Sequence, residues 1–280
     1  MSVFKESGKS MNDPVILLGA VAYDPKVVTI WEGIREHFYE QGVPLDFALF
    51  SNYERQIETL VRGHIDIAWN TPLAHVRVQQ RTNGTSLSLG MRDSDRDFHS
   101  KILVRRGSGI RSLSDLAGKR LAVGSSDSTQ AHILPLHFLK KEGVDIRRMH
   151  VLRFDTDFGK HGDTGSSELE VLAALQDGLV DAGTVGELVW LNEQAAGHVD
   201  ANKIEALWTT PGFDHCMFDG RPDLEPEKAE GFRRALFAMQ WDNPKQRRLL
   251  ELEGLKMWMP PRETGYASLR AALAEGLGGT

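Results

Sequence analysis

The pattern Leu-x-x-Gly-x-(Ile/Val)-Asp-x-(Ala/Gly) occurs twice in this chain, at residues 60–68 and again at 175–183. In each copy a helix-compatible stretch runs into a glycine, and a new apolar run follows. Glycine tolerates the left-handed backbone that stops a helix. The alternation Ile65, Ile67, Trp69 then suits a strand. Any helix-to-strand connection can take this form, but two copies in one chain predict one in each of two α/β lobes.

The rest of the chain keeps that grammar. Residues 15–21 are an apolar run, read as a buried strand. Asp24-Pro25 precedes Val27, Trp31, Ile34 and Phe38 at helical spacing, and Gly42 stops them. Leu45, Phe47 and Leu49 alternate as a strand, and a helix is predicted from about Asn52. Further strands are predicted at 101–105, 120–124 and 150–154, with helices at 112–117, 128–141 and 167–176. From Pro226 the chain reads as mostly helical, with Phe232, Leu236 and Met239 on one face. Strands alternating with helices define an α/β fold with largely parallel sheets. Ligands of such sheets gather at the carboxyl ends of strands. Those ends are polar or small here: Trp69-Asn70-Thr71-Pro72 in one copy, Thr184-Val185-Gly186-Glu187 in the other.

Composition narrows the function classes. A length of 280 residues suits two domains, and a net charge of -6 without a basic run argues against nucleic acid. No apolar run approaches the roughly 20 residues that span a bilayer, so no membrane insertion is expected. Residues 1–14 are polar, lack the build of a secretory signal and read as a disordered tail. As written the chain is expected in the cytoplasm, or in the periplasm if an export signal was removed. Cys216 is the single cysteine, which excludes an internal disulfide and a multi-cysteine metal site. No cofactor and no metal are expected.

The most specific stretch is Asp115-Leu116-Ala117-Gly118-Lys119-Arg120-Leu121-Ala122-Val123-Gly124, followed by Asp127-Ser128-Thr129 and Leu134-Pro135. His99-Ser100, Gly159-Lys160-His161 and the two copies of the repeated pattern support it. In order and spacing these pieces resemble the phosphate, phosphite and phosphonate receptors of the type 2 periplasmic-binding-protein fold, over about residues 15–273. The resemblance implies two lobes, each a mixed, mostly parallel sheet flanked by helices. One lobe would hold 15–98 and 207–280, the other 99–206, with hinges near 98–101 and 204–209. It implies capture of a small oxyanion between the lobes for import, with an ABC permease as partner.

The binding residues follow from the same segments. Ser128 and Thr129 open a helix after a strand, where unpaired N–H groups and the helix dipole favour an anion. The local sequence alone favours simple capping by Asp127 or Ser128, and it is the resemblance that favours an anion there. Gln130 and Ala131 stand where the family tends to have serine and glycine. His161 resembles a family histidine that donates to the oxyanion, although Lys160-His161-Gly162-Asp163 also reads as a surface turn. Asp163, Glu168 and Glu187 would suit an amine on the ligand, or are plain surface acids. Tyr23 and Trp69 could wall the cleft, and Trp69 fits the core as well. Asn70 and Thr71 could donate from the next helix start, or Thr71 only caps it.

Asp214-His215-Cys216 is the one cluster with nucleophile or metal chemistry. On a strand, neighbours point to opposite faces, so His215 and Cys216 should not reach one atom, and Cys216 reads as a buried, inert thiol. An enzyme on the same fold, of decarboxylase or desulfinase type, and a ligand sensor are the alternatives to transport. No Gly-x-Ser-x-Gly, His-Glu-x-x-His or phosphate loop supports the enzyme.

Overall fold

The computed structural model describes residues 15–278; the expected tail at 1–14 lies outside them. The chain begins β1 (Ile16–Val21), α1 (Lys26–Glu40), β2 (Leu45–Phe50), α2 (Tyr53–Val61), β3 (Ile67–Asn70), α3 (Pro72–Arg81), β4 (Leu87–Arg92). It continues β5 (Ser100–Arg105), β6 (Arg120–Val123), α4 (Leu134–Lys141), β7 (His150–Arg153), α5 (Ser166–Gln176), β8 (Ala182–Gly186), α6 (Glu187–Ala195), β9 (Ile204–Thr209). It returns through β10 (Met217–Gly220), α7 (Pro226–Phe237), α8 (Pro244–Glu253), β11 (Trp258–Met259) and α9 (Ala267–Ala274).

These strands make two mixed sheets, ordered β11-β4-β10-β3-β1-β2 and β7-β6-β8-β5-β9. Strand β1 pairs parallel with β2 and β3, and β6 pairs parallel with β7 and β8. The antiparallel pairings are β10 with β3 and β4 and β11 with β4 in the first sheet, and β5 with β8 and β9 in the second. The result is the two-lobed α/β architecture expected from the alternation.

The repeated pattern is realised almost atom for atom. Gly63 and Gly178 end α2 and α5 with φ of 73° and 74°. Asp66 then accepts from Leu17 N at 3.0 Å through its carboxylate, and its own N–H donates to Leu17 O at 2.8 Å. Asp181 treats Arg120 identically, at 2.8 and 2.9 Å. In both sheets the aspartate therefore ties the helix-to-strand turn to the start of the neighbouring parallel strand.

The first sheet packs its main core between α1, α7 and α8, around Trp31, Phe38, Phe218 and Phe232. The second sheet is covered on one side by a cluster with Leu121, Val123 and Leu139, on the other by one with Val171, Leu175 and Trp190. A further cluster joins Leu73 and Met91 near the first sheet to Ile133 and Phe138 near the second, through Tyr266 and Leu269. Helix α9 thus bridges the two halves.

Three expectations are corrected. The second crossing between sheets runs through 210–216, not 204–209, because Ile204–Thr209 pairs with β5 as β9. The crossings touch at an isolated antiparallel bridge, Phe98 to Phe213. The helix predicted at 128–141 opens with a π-turn, Thr129–Ile133, before α4. The segment 112–117 is a single 3₁₀ turn, Leu113–Leu116, held by Asp115 accepting from Ser112 N.

Candidate functional site

The strand ends of the two sheets face each other across a segment of the second half, residues 155–165. Tyr53 N donates to Gly159 O at 3.1 Å, and Lys160 Nζ donates to Ala22 O at 2.7 Å. Tyr53 Oη donates to Asp163, and the Tyr53 ring stacks on His161 with centroids 4.7 Å apart. His161 Nδ1 and Thr71 Oγ1 are hydrogen-bonded at 2.6 Å. His161 has φ of 54°, flanked by Gly159 and Gly162 at 84° and 81°. At Gly162 a Cβ would stand 2.5 Å from Ser128 Oγ, so this close approach and left-handed backbone both require glycine.

Beside that clasp lies a cavity of about 380 Å³. Tyr23, Lys26, Trp69, Arg92, His215, Cys216 and Glu253 line it from the first half, and Gln130, Gly162, Asp163 and Glu168 from the second. Of the residues singled out from sequence, Tyr23, Trp69, Gln130, Asp163, Glu168, His215 and Cys216 lie on its walls. Trp69 is wall and core together: its ring packs on Phe218, and its Nε1 donates to Glu253 Oε1 at 2.9 Å.

Thr71, Asp127, Ser128, Thr129 and His161 are buried in or next to the clasp. Ser128 and Thr71 each cap the helical turn that follows, accepting from Ala131 N at 3.1 Å and from Ala74 N at 3.4 Å. Asp127 accepts from Gly159 N at 2.6 Å and lies 3.8 Å from His161 Nε2. Thr129 Oγ1 is buried without a partner among the described residues.

Two expected residues are elsewhere. Asn70 is fully buried, donating to Asp219 and accepting from Gln56, each at 2.8 Å. Its amide is held between these two buried partners, and Asn70 is not among the residues that line the cavity. Glu187 accepts from His99 N at 3.0 Å and lies 3.4 Å from Lys101, so it braces the first crossing instead of the cavity.

The cations of the cavity, Lys26 and Arg92, come from the first half, and its acids come from both. Arg92 grips Asp95 with Nε at 2.8 Å and Nη2 at 2.7 Å, and donates to Glu253 O at 2.8 Å. That guanidinium holds Asp95 down at about 2, against the pull of burial. Burial raises the carboxyls of Asp163 to about 6, Glu168 to about 7 and Glu253 to about 7. Such groups accept a proton readily in the neutral range. Glu168 accepts from Gly186 N at 2.5 Å and from Gln130 Nε2 at 3.1 Å. Burial, with a contribution from Arg77, keeps His161 well below its usual range, so it is a neutral imidazole at pH 7.

Sequence reasoning missed Lys26, Arg92 and Glu253. Arg92 and Asp95 sit three apart and could have been read as a pair; Glu253 ends a helix far along the chain and carries no local signal. The Asp-His-Cys cluster needs correction. Residues 214–216 are not strand, so His215 Nδ1 and Cys216 Sγ do meet, at 3.2 Å. Asp214 instead pairs with Arg262, and the acid near His215 is Asp95. Asp95, His215 and Cys216 bring ligating atoms within 4.8 Å of one another. Arg92 already supplies the positive charge there, and burial holds the thiol protonated, which disfavours a metal.

Among the described residues no helix is long and apolar enough to cross a membrane. A family model described as ABC transporter, phosphonate, periplasmic substrate-binding protein matches residues 20–266. A probable ABC transporter phosphite binding protein, PhnD1, of Prochlorococcus marinus (strain MIT 9301) is 26% identical over 191 residues. That match covers 66% of this chain and 61% of that protein, about three fifths of its length. The structure of PhnD1 in complex with methylphosphonate has a TM-score of 0.73 at 20% identity, covering 93% of this chain and 97% of that one. XAC2383 from Xanthomonas citri, bound to ATP, gives 0.72 at 22%, covering 93% and 96%. The aliphatic sulphonate binding protein SsuA from Escherichia coli gives 0.63 at 16%, covering 96% and 95%. The structural likenesses establish the fold, and the family match over most of the chain establishes that this protein belongs to the phosphonate periplasmic substrate-binding proteins of ABC transporters.

Proposed function

We propose that this chain captures a small phosphonate-type oxyanion between its lobes and presents it to an ABC permease, in the periplasm. One observation carries the reading: a cavity of about 380 Å³ has walls from both halves and is lined by Gln130 of the turn that opens at Thr129, whose hydroxyl lacks a partner among the described residues. Backbone N–H groups in the first turn of a helix have no preceding carbonyl to meet, and they favour an anion. Arg92 and Lys26 add positive charge from the opposite wall. In this reading the lobes are 15–98 with 210–278, and 99–209, the boundary set at the end of β9. Ligand favours the closed arrangement because only that arrangement supplies both sets of contacts.

Isothermal titration calorimetry with phosphate, phosphite, methylphosphonate, sulfate and acetate tests it. The expected result is one-to-one binding of at least one phosphorus oxyanion, tighter than sulfate and acetate. Absence of heat with all three phosphorus anions, for folded protein, overturns it.

A further inference from the structure

We infer that His215 contacts the ligand and that Cys216 is its positioning residue, fixing the tautomer in which His215 Nε2 carries the proton. The inference rests on the phosphonate-type reading above and assigns a further donor to that same cavity.

His215 lines the cavity, is buried to 7% exposure, and its Nε2 has no partner among the described residues. Buried ring nitrogens are normally satisfied, so an unmatched one on a cavity wall points to a group that arrives with the ligand. Whether Nε2 donates or accepts depends on what Nδ1 does. Two groups lie near Nδ1: Cys216 Sγ at 3.2 Å and Asp95 Oδ1 at 3.6 Å. The carboxylate is too far for a hydrogen bond. It is also engaged, because Arg92 donates to both of its oxygens.

The thiol is the closer partner. Burial and the nearby acids Asp95, Asp163 and Glu253 outweigh Arg92 and keep it protonated. Arg92 Nη2 lies 3.5 Å from Sγ, and a guanidinium can only donate. With Arg92 donating to Sγ, the S–H is free to donate to His215 Nδ1, and the proposed tautomer has it do so. That makes Nδ1 an acceptor and leaves the proton on Nε2, as a donor. The ring is held in place by Phe98, with centroids 4.8 Å apart, and by the backbone bond from His215 N to Asp95 O at 2.8 Å. An imidazole N–H, with Lys26 and Arg92 on the same wall, suits an oxygen of a small oxyanion.

The test combines nitrogen NMR with calorimetry on the full chain, using methylphosphonate and inorganic phosphate as probes. Imidazole nitrogen shifts of the ligand-free protein should show His215 with a bare Nδ1 and a protonated Nε2. Cys216→Ala should lose that single-tautomer signature and weaken binding several-fold, and Cys216→Ser, which keeps a donor, should restore both. His215→Leu should weaken binding at least about tenfold, and His215→Gln, which can still donate, should recover part of it. Melting temperatures report whether each variant folds; if His215→Leu does not, the tautomer and the cysteine pair decide alone. A protonated Nδ1 in the wild type, or identical binding in folded Cys216→Ala and wild type, overturns the inference. Lack of binding by every phosphorus anion in the wild type instead overturns the functional reading beneath it.

Discussion

Asp66 and Asp181 close the same helix-to-strand turn in the two sheets, yet the segments that each half brings to the site are made differently. Past β3 the chain enters a buried polar network. Asn70 bonds Gln56 and Asp219, and Asp219 accepts from His75 at 2.8 Å. Asp219 and Glu263 raise His75 to about 9 despite its burial, so it is an imidazolium at neutral pH. Past β6 the chain enters a π-turn and, farther on, the segment 155–165 with its left-handed glycines. A buried, charge-paired network favours one geometry; a π-turn and a glycine-rich segment can settle around what they meet. The first half of the site is thus expected to be pre-formed, and the second to be the half that adapts, which the following measurements test.

The largest expected effect breaks the pre-formed half. Asp219→Ala leaves the His75 charge buried with only Glu263 near it, and should cost about 3–5 kcal/mol in urea unfolding. The matching cut in the other half is Asp157→Ala, which removes bonds to Ser167 N and Oγ at 2.9 and 3.0 Å. It should cost about 1–3 kcal/mol. Equal losses would erase the distinction drawn between the halves.

Next comes the helix opening. Replacing Ser128 and Thr129 together by alanine should weaken oxyanion binding by about 1–3 kcal/mol. Thr129→Ala alone should leave urea stability almost unchanged, since its hydroxyl bonds nothing among the described residues. Unaltered affinity in the folded double variant would place the anion elsewhere.

A comparable effect is expected from pH. Burial raises Glu253 from the ordinary 4.5 to about 7, so the native state binds its proton more tightly than the unfolded chain does. The stability this contributes is complete below pH 4.5 and disappears as pH rises through about 7. Every tenfold gain in proton affinity is worth about 1.4 kcal/mol. Glu253→Gln keeps an acceptor for Trp69 but cannot ionise. Its urea midpoint should therefore fall less than that of the wild type between pH 5 and 7.5. A variant whose pH dependence matches the wild type would show that Glu253 does not set it.

The smallest effect separates the repeated aspartates. Asp66 also meets Arg221 at 3.0 Å and Lys228 at 3.7 Å, all largely buried, whereas half of the Arg120 side chain that faces Asp181 is exposed. Asp66→Asn should cost about 1–2 kcal/mol and Asp181→Asn about 1 kcal/mol or less. The reverse order would show that the two turns carry unequal load for another reason.

What the sequence disclosed and what it hid follow one physical division. The turns at Gly63 and Gly178, the cap at Thr71 and the strands around them are set by neighbours along the chain, and residue type reads them directly. Tyr23, Trp69, Gln130 and Asp163 could be placed near strand ends for the same reason. Asn70 and Glu187 could not be excluded, because the partners that absorb them, Asp219 and His99, come from distant segments. Arg92, Glu253 and His215 reach the cavity wall from three separate parts of the chain. The π-turn escaped because its side chains also suit an α-helix; only packing against Gly124 and Gly162 distinguishes the two.

The central claim is that both halves hold the ligand at once. A crystal structure of the methylphosphonate complex tests it most directly. Density is expected in the interlobe cavity, with contacts from Thr129 or Gln130 on one side and from His215, Arg92 or Lys26 on the other. A ligand whose contacts all come from one half, or which lies outside that cavity, would contradict it.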